Sequence, residues 1–520
     1  MKVVSGQDMQ LMDRLAIGEF GIPGLTLMEN AGRACADAIC EAFGPGAGKR
    51  ALVVAGKGNN GGDGYVIARL LKERGWDAPV LLLAAPTGIT GDAGANLALL
   101  DQGSVILAPV GGELPATLFR ETTLIVDALL GTGIKSEVTG VFRDAIELIN
   151  GSGRPVVAVD IPSGVDAGSG RVLGVAVRAD LTVSFALAKL GNVLYPGSEL
   201  CGRLVVADIG MPPQVVAEAH GCEFVDFACA RRLFRPRGVL AHKGSAGHCL
   251  VIAGSLGKSG AAFMAANSAL RTGAGLVTLA VPAALNPILE VKTTEVMTLP
   301  VGNQGAGHLQ AGAAAALLRE ASTRDALALG PGIGGAPSTA YLVHSLVASL
   351  PGPLVLDADG LNAVAAAPEV LQQRRGRVTV LTPHPGEMAR LTGLSVAEVE
   401  ADRIGTAREF AQRFQVHLIL KGARSIIAAP DGSISINGSG NQGMASGGMG
   451  DVLTGVVVSL LGQGYPPFEA CQLGAFVHGL AADLLLGEQG TQGMSATDVQ
   501  EALPRALRRL AADPSSPVPG

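Results

Sequence analysis

The stretch Asn437-Gly438-Ser439-Gly440-Asn441-Gln442-Gly443-Met444-Ala445-Ser446-Gly447-Gly448-Met449-Gly450-Asp451 runs straight into the apolar segment Val452-Leu453-Thr454-Gly455-Val456-Val457-Val458. Glycines at 447, 448 and 450 put no Cβ in the way, so successive backbone N–H groups can turn toward one anion. The run that follows reads as a buried helix whose N-terminal dipole favours the same charge. The stretch is therefore a candidate anion hole, closed by a single carboxylate, Asp451. A carboxylate beside bound phosphate is costly unless it has a task, such as taking a proton from an attacking hydroxyl. An ordinary glycine turn capped by aspartate is the plainer reading, and the glycine run and helix together weigh against it.

At 520 residues the chain exceeds the reach of one hydrophobic core, so two or more domains are expected. Apolar residues make up 48% and charged ones 16%, which suits strands buried on both faces and excludes a disordered chain. A formal net charge of −6, with no long basic block, leaves no footprint for nucleic acid or an anionic membrane. Any anionic ligand must be held by local loops. Seven cysteines are dispersed without a Cys-x-x-Cys pair, which implies reduced thiols, a cytoplasmic setting and no zinc. The first fifteen residues contain Asp8 and Asp13 and no sustained apolar core, so no signal peptide is expected, and no apolar stretch reads as membrane-length. The composition leaves room for a homo-oligomer.

In the first half, a helical pattern from Leu25 to about Phe43 precedes a short apolar strand at 51–55. That strand flows into Gly56-Lys57-Gly58-Asn59-Asn60-Gly61-Gly62-Asp63-Gly64 and a helix expected from Tyr65 to about Arg74. Strand, glycine loop and helix form the phosphate-cradling unit of doubly wound folds. The acidic ribose ligand of a dehydrogenase is expected some twenty residues further on. Here that place falls in the apolar run 80–83, which rejects an ordinary nicotinamide dehydrogenase. Further strands are expected at 105–108, 123–128, 155–160, 181–185 and 204–207, giving a mainly parallel sheet with ligands at the strands' carboxyl ends. Asp127, Asp160 and Asn60 all fall at such ends; singly each could cap a turn, and together they define one crevice.

Met28-Glu29-Asn30-Ala31-Gly32, residues 58–64, Asp127 with Gly131-Thr132-Gly133, and Asp160-Ile161-Pro162-Ser163-Gly164 resemble the NAD(P)H-hydrate epimerase domain over about residues 1–215. The resemblance implies that Asn59, Asn60, Gly61, Gly62, Asp63, Gly131, Thr132, Gly133, Ile134, Lys135, Ser136, Glu137 and Asp160 hold the hydrated dinucleotide. It also implies a potassium ion on Asn60, Asp127 and Ser163. A general acid/base role for Asp160 suits interconversion of the R and S hydrates.

A basic segment through residues 231–237 follows a boundary placed near 225, dividing the chain into expected domains at 1–220 and 226–512. The α/β pattern then restarts with a strand at 248–253 and an alanine-rich helix at 259–271. Strand-like runs recur at 276–281, 326–329, 354–357, 378–381, 417–420 and 425–428, with no repeat of solenoid period. Polar groups again gather at strand ends: Gly330-Pro331-Gly332-Ile333-Gly334, Asp357-Ala358-Asp359-Gly360-Leu361-Asn362, Thr382-Pro383-His384-Pro385-Gly386-Glu387, and Lys421-Gly422-Ala423-Arg424-Ser425. His384, fixed between two prolines, is a better functional candidate than a lone histidine usually is. Lys421 could neutralise phosphate, a solvated lysine being the default.

These segments, with residues 441–451, resemble the ribokinase-like superfamily, and more closely its ADP-dependent NAD(P)H-hydrate dehydratase branch, over roughly residues 230–510. The implied fold is a Rossmann-like doubly wound α/β domain followed by a ribokinase-like α/β domain. The resemblance assigns Lys421, Gly422, Ala423, Arg424, Ser425, Asn441, Gln442, Gly443, Met444, Ala445, Ser446, Gly447, Gly448, Met449 and Gly450 to the adenine nucleotide. It assigns Ala261, Gly332, His384 and Asp451 to the hydrated nicotinamide substrate. Met449 stands where the family commonly has Ser or Thr. The implied co-substrate is ADP with a magnesium ion, and the implied substrates are hydrated NADH and NADPH. Two other readings are a small-molecule kinase with an attached ligand-binding domain, and a first domain serving only as an interaction module. Intact Asn60, Asp127, Asp160 and Ser163 weigh against the second. Residues 513–520 are expected to form a tail.

Overall fold

In the computed structural model, which describes residues 1–109 and 111–512, the chain divides into two compact units, Lys2–Cys222 and a second beginning at Glu223. The expected tail at 513–520 lies outside the described residues.

The first unit carries the parallel strands Ala51–Ala55, Val80–Leu82, Val105–Leu107, Leu124–Ala128, Val156–Val159, Leu181–Phe185 and Arg203–Ala207. Counted along the chain, they lie side by side in the order 3-2-1-4-5-6-7. The five inner strands are buried along their whole length, while the edge strands Val105–Leu107 and Arg203–Ala207 are partly exposed. Helices on both faces cover such a sheet, which explains the continuous apolar runs in place of alternation. Lys2–Val4 pairs in parallel with Ala188–Lys189.

One boundary differs from expectation. The helix after the glycine loop begins at Asn59, not Tyr65, with Gly58 as its N-cap. Asn60, Gly61, Gly62 and Asp63 are thus its first turn. Glycine's low helix propensity argues for a loop here, but close packing overrides it. A Cβ on Gly61 would overlap the carbonyl of Gly56, one on Gly62 would strike Met28, and one on Gly64 would strike Ala128.

The second unit repeats the same order with His248–Ile252, Leu276–Pro282, Met297–Val301, Ala326–Leu329, Leu354–Leu356, Thr379–Leu381 and His417–Leu420. Ile426–Ala428 and Ile434–Asn437 then continue it in antiparallel fashion. Two of these strands escape the sequence reading. Met297–Val301 is an edge strand, where Pro300 is tolerated because its missing N–H faces outward. Ile434–Asn437 hides its Ser435 and Asn437 inside the unit. The basic segment after 225 is not open chain at its start, because Phe227–Leu233 is a helix capped by Asp226, whose side chain accepts from the Cys229 N–H at 2.8 Å.

Pro467–Gln489 is long and apolar enough by composition to cross a membrane, contrary to the reading of the sequence; 72% of its apolar window is buried within the protein. Its apolarity is spent on the core, where Phe476, Val477 and Leu485 pack with Val456, Leu460 and the helix Ala496–Ala511. The helix Met449–Gly462 runs through the same core against Ser259–Arg271. Gly455 permits that approach, since a Cβ there would overlap the carbonyl oxygen of Ala265. Gly455→Ala is therefore expected to destabilise the second unit by about 1–3 kcal/mol through overpacking. Thermal unfolding checks this, and an unchanged melting temperature would contradict the packing argument.

Candidate functional site

In the first unit, strand order reverses between Ala51–Ala55 and Leu124–Ala128, the place where open α/β sheets leave a crevice beyond their strand ends. A cavity of about 780 Å³ opens there. Asn59, Asn60, Asp63, Gly131, Thr132, Gly133, Ile134, Lys135, Ser136 and Asp160 line it. Gly61 and Gly62 do not: they serve helix packing. Glu137 also lies outside the lining, with its side chain exposed.

Asp160 follows the strand Val156–Val159 with a left-handed backbone, φ 68°. Its Oδ1 accepts from the backbone N–H of Phe185 at 3.0 Å, from the Ser184 hydroxyl at 3.4 Å, and from the ammonium of Lys189. Lys189 is fully buried and also donates to the Phe185 carbonyl at 3.0 Å. The sequence reading missed this lysine, although a single cation inside the apolar run 181–194 was a usable signal. It also missed Asp13, which reaches the cavity from the helix Gly6–Gly18. Burial, then the charges of Asp160 and Asp13, holds the Asp63 carboxyl well above the usual carboxylate range, with Lys189 opposing.

Beside this cavity, Asp127 is fully buried and no cationic side chain pairs with it among the described residues. Its Oδ1 accepts from the Ser163 hydroxyl at 2.6 Å and its Oδ2 from the Ser163 N–H at 2.8 Å. The Ser163 hydroxyl accepts from the Leu130 N–H at 2.9 Å. Asn60 donates its amide to the Leu130 carbonyl at 3.2 Å, leaving its amide oxygen for another partner. Asn60, Asp127 and Ser163 thus converge. Burial pushes Asp127 up to about 6 despite its hydrogen bonds to Ser163 and Leu129. A buried carboxylate without a counter-charge, amid hydroxyl, amide and carbonyl oxygens, is a donor set that suits a hard cation.

In the second unit, Asp451 sits in the first turn of Met449–Gly462, whose N-cap Gly448 has φ 90°. Burial, then the charge of Asp357, pushes Asp451 up to about 7; Lys421 opposes, and Asp359 and Glu387 add. The Lys421 ammonium lies 2.8 Å from Asp357 Oδ1 and 3.7 Å from Glu387 Oε2. Thr454 donates to the other oxygen of Asp357 at 2.8 Å. Burial works to lower the Lys421 pKa, and Asp357, Glu387 and Asp451 outweigh it, keeping the ammonium charged.

His384 caps the helix Pro385–Thr392: its Nδ1 accepts from the Gly386 N–H at 3.0 Å, and Glu387 accepts from its backbone N–H at 2.8 Å. Its ring is about half exposed. Gly332, at φ 63°, lies against Ala261 and Lys258, and Lys258 donates to Asp359 at 2.8 Å. Lys258 thus stands between Gly332 and Asp359, and Glu387 and Lys421 stand between His384 and Asp451. Of Asp357, Asp359, Glu387 and Thr454, only the strand-end segments, not the roles, were read from the sequence.

Around the glycine stretch, Asn441 donates to Asp483 at 2.9 Å and accepts from the Gly443 N–H at 2.9 Å. Ala445, Ser446 and Gly447 are exposed, whereas Met449 turns its side chain into the hydrophobic core. Met449 can contribute only its backbone N–H, so the absence of a hydroxyl there removes nothing from the ligand side. Met444 likewise packs against the core. Residues 421–425 form the turn between His417–Leu420 and Ile426–Ala428; Arg403 donates to the carbonyls of Ala423 and Lys421, and Arg424 to that of Gly438.

Both units place a carboxylate and a buried lysine at the carboxyl ends of a doubly wound parallel sheet, the arrangement of a two-site α/β enzyme. Residues 24–191 match the family described as YjeF-related protein N-terminus, and residues 249–505 match NAD(P)H-hydrate dehydratase. The bifunctional NAD(P)H-hydrate repair enzyme Nnr of Moorella thermoacetica is 45% identical, over 98% of this chain and 97% of its own. That of Escherichia coli is 35% identical over 96% and 93%. The solved ADP/ATP-dependent NAD(P)H-hydrate dehydratase of Bacillus subtilis, co-crystallised with ATP and Mg2+, is 29% identical over 56% of this chain and 99% of its own, with a TM-score of 0.47. The chain belongs to the family of bifunctional NAD(P)H-hydrate repair enzymes.

Lys421→Met would leave Asp357, which is 1% exposed, as an uncompensated buried charge. The expected loss is about 3–5 kcal/mol in denaturant unfolding, much of it recovered when Asp357→Asn is added. Equal losses in the single and double variants would contradict the pairing.

Proposed function

We propose that this protein repairs hydrated NADH and NADPH, interconverting the R and S hydrates in its first unit and dehydrating the S form in its second with ADP, giving AMP and phosphate. The position of Asp451 carries the reading of the second site. At a pKa of about 7 it can take a proton from the substrate's 6-hydroxyl, a poor leaving group, while remaining partly ionised at neutral pH. The freed oxygen attacks the terminal phosphoryl of ADP, AMP departs, and loss of phosphate together with a ring proton restores the double bond. The first-turn amides at Met449, Gly450 and Asp451 have no intrahelical partner and suit the transferring phosphoryl. Residues 421–425 and 441–450 hold the nucleotide in this reading, with Met444 and Met449 contributing backbone alone. Ala261, Gly332 and His384 border the hydrated ring.

No group of three or more acidic, histidine or cysteine side chains converges as a metal cage among the described residues. A magnesium ion would therefore be carried on the nucleotide phosphates, which it neutralises. In the first unit, Asn60, Asp127 and Ser163 would hold potassium, whose charge offsets Asp127. Asp160 then acts as acid or base on the hydrate, with Lys189 fixing its orientation. The seven cysteines stand as thiols outside any disulfide among the described residues, in keeping with a cytoplasmic enzyme.

Chemically hydrated NADH mixed with the protein and ADP should regain the absorbance of reduced nicotinamide; turnover of a vitamin-type alcohol instead would favour a kinase. Asp451→Asn should lower dehydration by about 100-fold or more while R-to-S conversion continues. The wild-type rate should fall as pH drops through about 7, because protonation removes the base. Replacing potassium by a large organic cation at constant ionic strength should slow epimerisation and leave dehydration intact. Equal effects on both steps would count against the cation site.

A further inference from the structure

Inverting a carbon that carries both a hydroxyl and a ring nitrogen requires two proton-transfer groups. The leaving hydroxyl gains a proton, its C–O bond breaks while the nitrogen lone pair forms a C=N bond, and water departs. A water on the opposite face loses a proton as its oxygen bonds to the same carbon, and the electron pair returns to nitrogen. One water leaves and one enters, with no redox change. Asp160 supplies one of the two groups in the reading above, on which the present inference rests.

Three further carboxylates enter the same cavity from separate elements, Asp13 from the helix Gly6–Gly18, Asp63 from the first turn of Asn59–Glu73 and Asp92 from the first turn of Gly91–Ala98; of these, Asp13 and Asp63 share the field of Asp160 and Lys189. We propose that Asp13 is the second proton-transfer residue of the cavity, working with Asp160. Its carboxylate makes no hydrogen bond or ion pair among the described residues, whereas the other acid of the same helix, Asp8, is used up in a capping box with Ser5. A half-buried carboxylate lining a cavity with no structural partner is a group left for a ligand.

The charges facing Asp13 suit that task. Burial raises it from 3.8 to about 6; Lys189 opposes, Asp160 adds, and Arg14 on its own helix opposes. Asp13 can therefore gain and release a proton near neutral pH. Asp63 is held well above the usual carboxylate range, by burial first and then by the charges of Asp160 and Asp13, with Lys189 opposing. Acid and base assignments separate where neighbouring carboxylates are pushed apart in this way.

The test uses the full chain, with epimerisation of the R hydrate and dehydration of the S hydrate measured separately. Wild type must epimerise faster than the uncatalysed reaction; if it does not, the epimerase reading fails and not only this proposal. Asp13→Asn is expected to lower the kcat of epimerisation about 100-fold and to abolish the acid limb centred near pH 6, with KM changed less than about threefold and dehydration unchanged. Because the folded state raises the Asp13 pKa, its ionisation above about pH 6 opposes folding, so Asp13→Asn should hold or raise the melting temperature of the first unit. A wild-type rate with the limb intact overturns the proposal, as does a loss of rate that tracks lost stability or lost substrate binding while the limb persists. Should Asp13→Asn fail to fold, Asp13→Glu is expected to fold, to slow epimerisation and to move the limb; an unmoved limb at full rate overturns the proposal equally.

Discussion

The ion pair between a buried lysine and a strand-end carboxylate is the interaction on which each site depends. Lys189 has no exposed surface and Lys421 has little, and each lies against an aspartate that the surrounding sheet also buries. Desolvated charges of this kind persist only with a partner held at hydrogen-bond distance. In both units the partner stands where a parallel strand ends, because inside the sheet both faces are apolar and only the termini can present polar atoms. The fold thus creates the one place where such a pair is tolerated, and the pair in turn fixes the field around the reacting groups.

That field has opposite uses in the two units. In the second, Asp357, Glu387 and Asp451 outweigh burial and keep Lys421 charged, while burial, then Asp357, with smaller parts from Asp359 and Glu387, pushes Asp451 up to about 7. In the first, the buried Lys189 ammonium faces Asp160, Asp13 and Asp63 in a cavity that Lys57, Lys135 and Asp92 also line. Asp160 receives it directly, and Asp13 and Asp63 are left to share what remains. Asp127 is a separate case: its carboxylate is fully buried and meets only hydrogen-bond donors, from Leu129 and Ser163.

Both units also share the strand order 3-2-1-4-5-6-7, which sets the reversal point beside the first strand. In the first unit that point opens between the glycine turn after Ala51–Ala55 and the segment after Leu124–Ala128, and the cavity follows. In the second, Gly332 touches Ala261 across the equivalent gap, and Asp451 approaches from a helix that the core holds tightly. The steric role of glycine recurs at these approaches. Gly61 and Gly62 bring a helix down onto the sheet and lie outside the cavity lining.

The sequence by itself determined the alternation of buried strands and helices, the strand-end position of Asp127, Asp160, His384 and Lys421, and the glycine-rich stretch that leads into the helix carrying Asp451, because hydrophobic periodicity and glycine placement are local signals. It could not place Asp13 or Thr454 at the sites, nor pair Lys189 with Asp160 or Lys421 with Asp357, contacts that join residues 29, 64 and 97 positions apart. Nor could it tell that Met449 faces the core or that the helix begins at Asn59, since both follow from close contacts with distant segments. Burial and charge proximity are properties of packed elements, and only the tertiary structure decides which carboxylate is paired with a lysine, which is raised above its usual range and which lines a cavity.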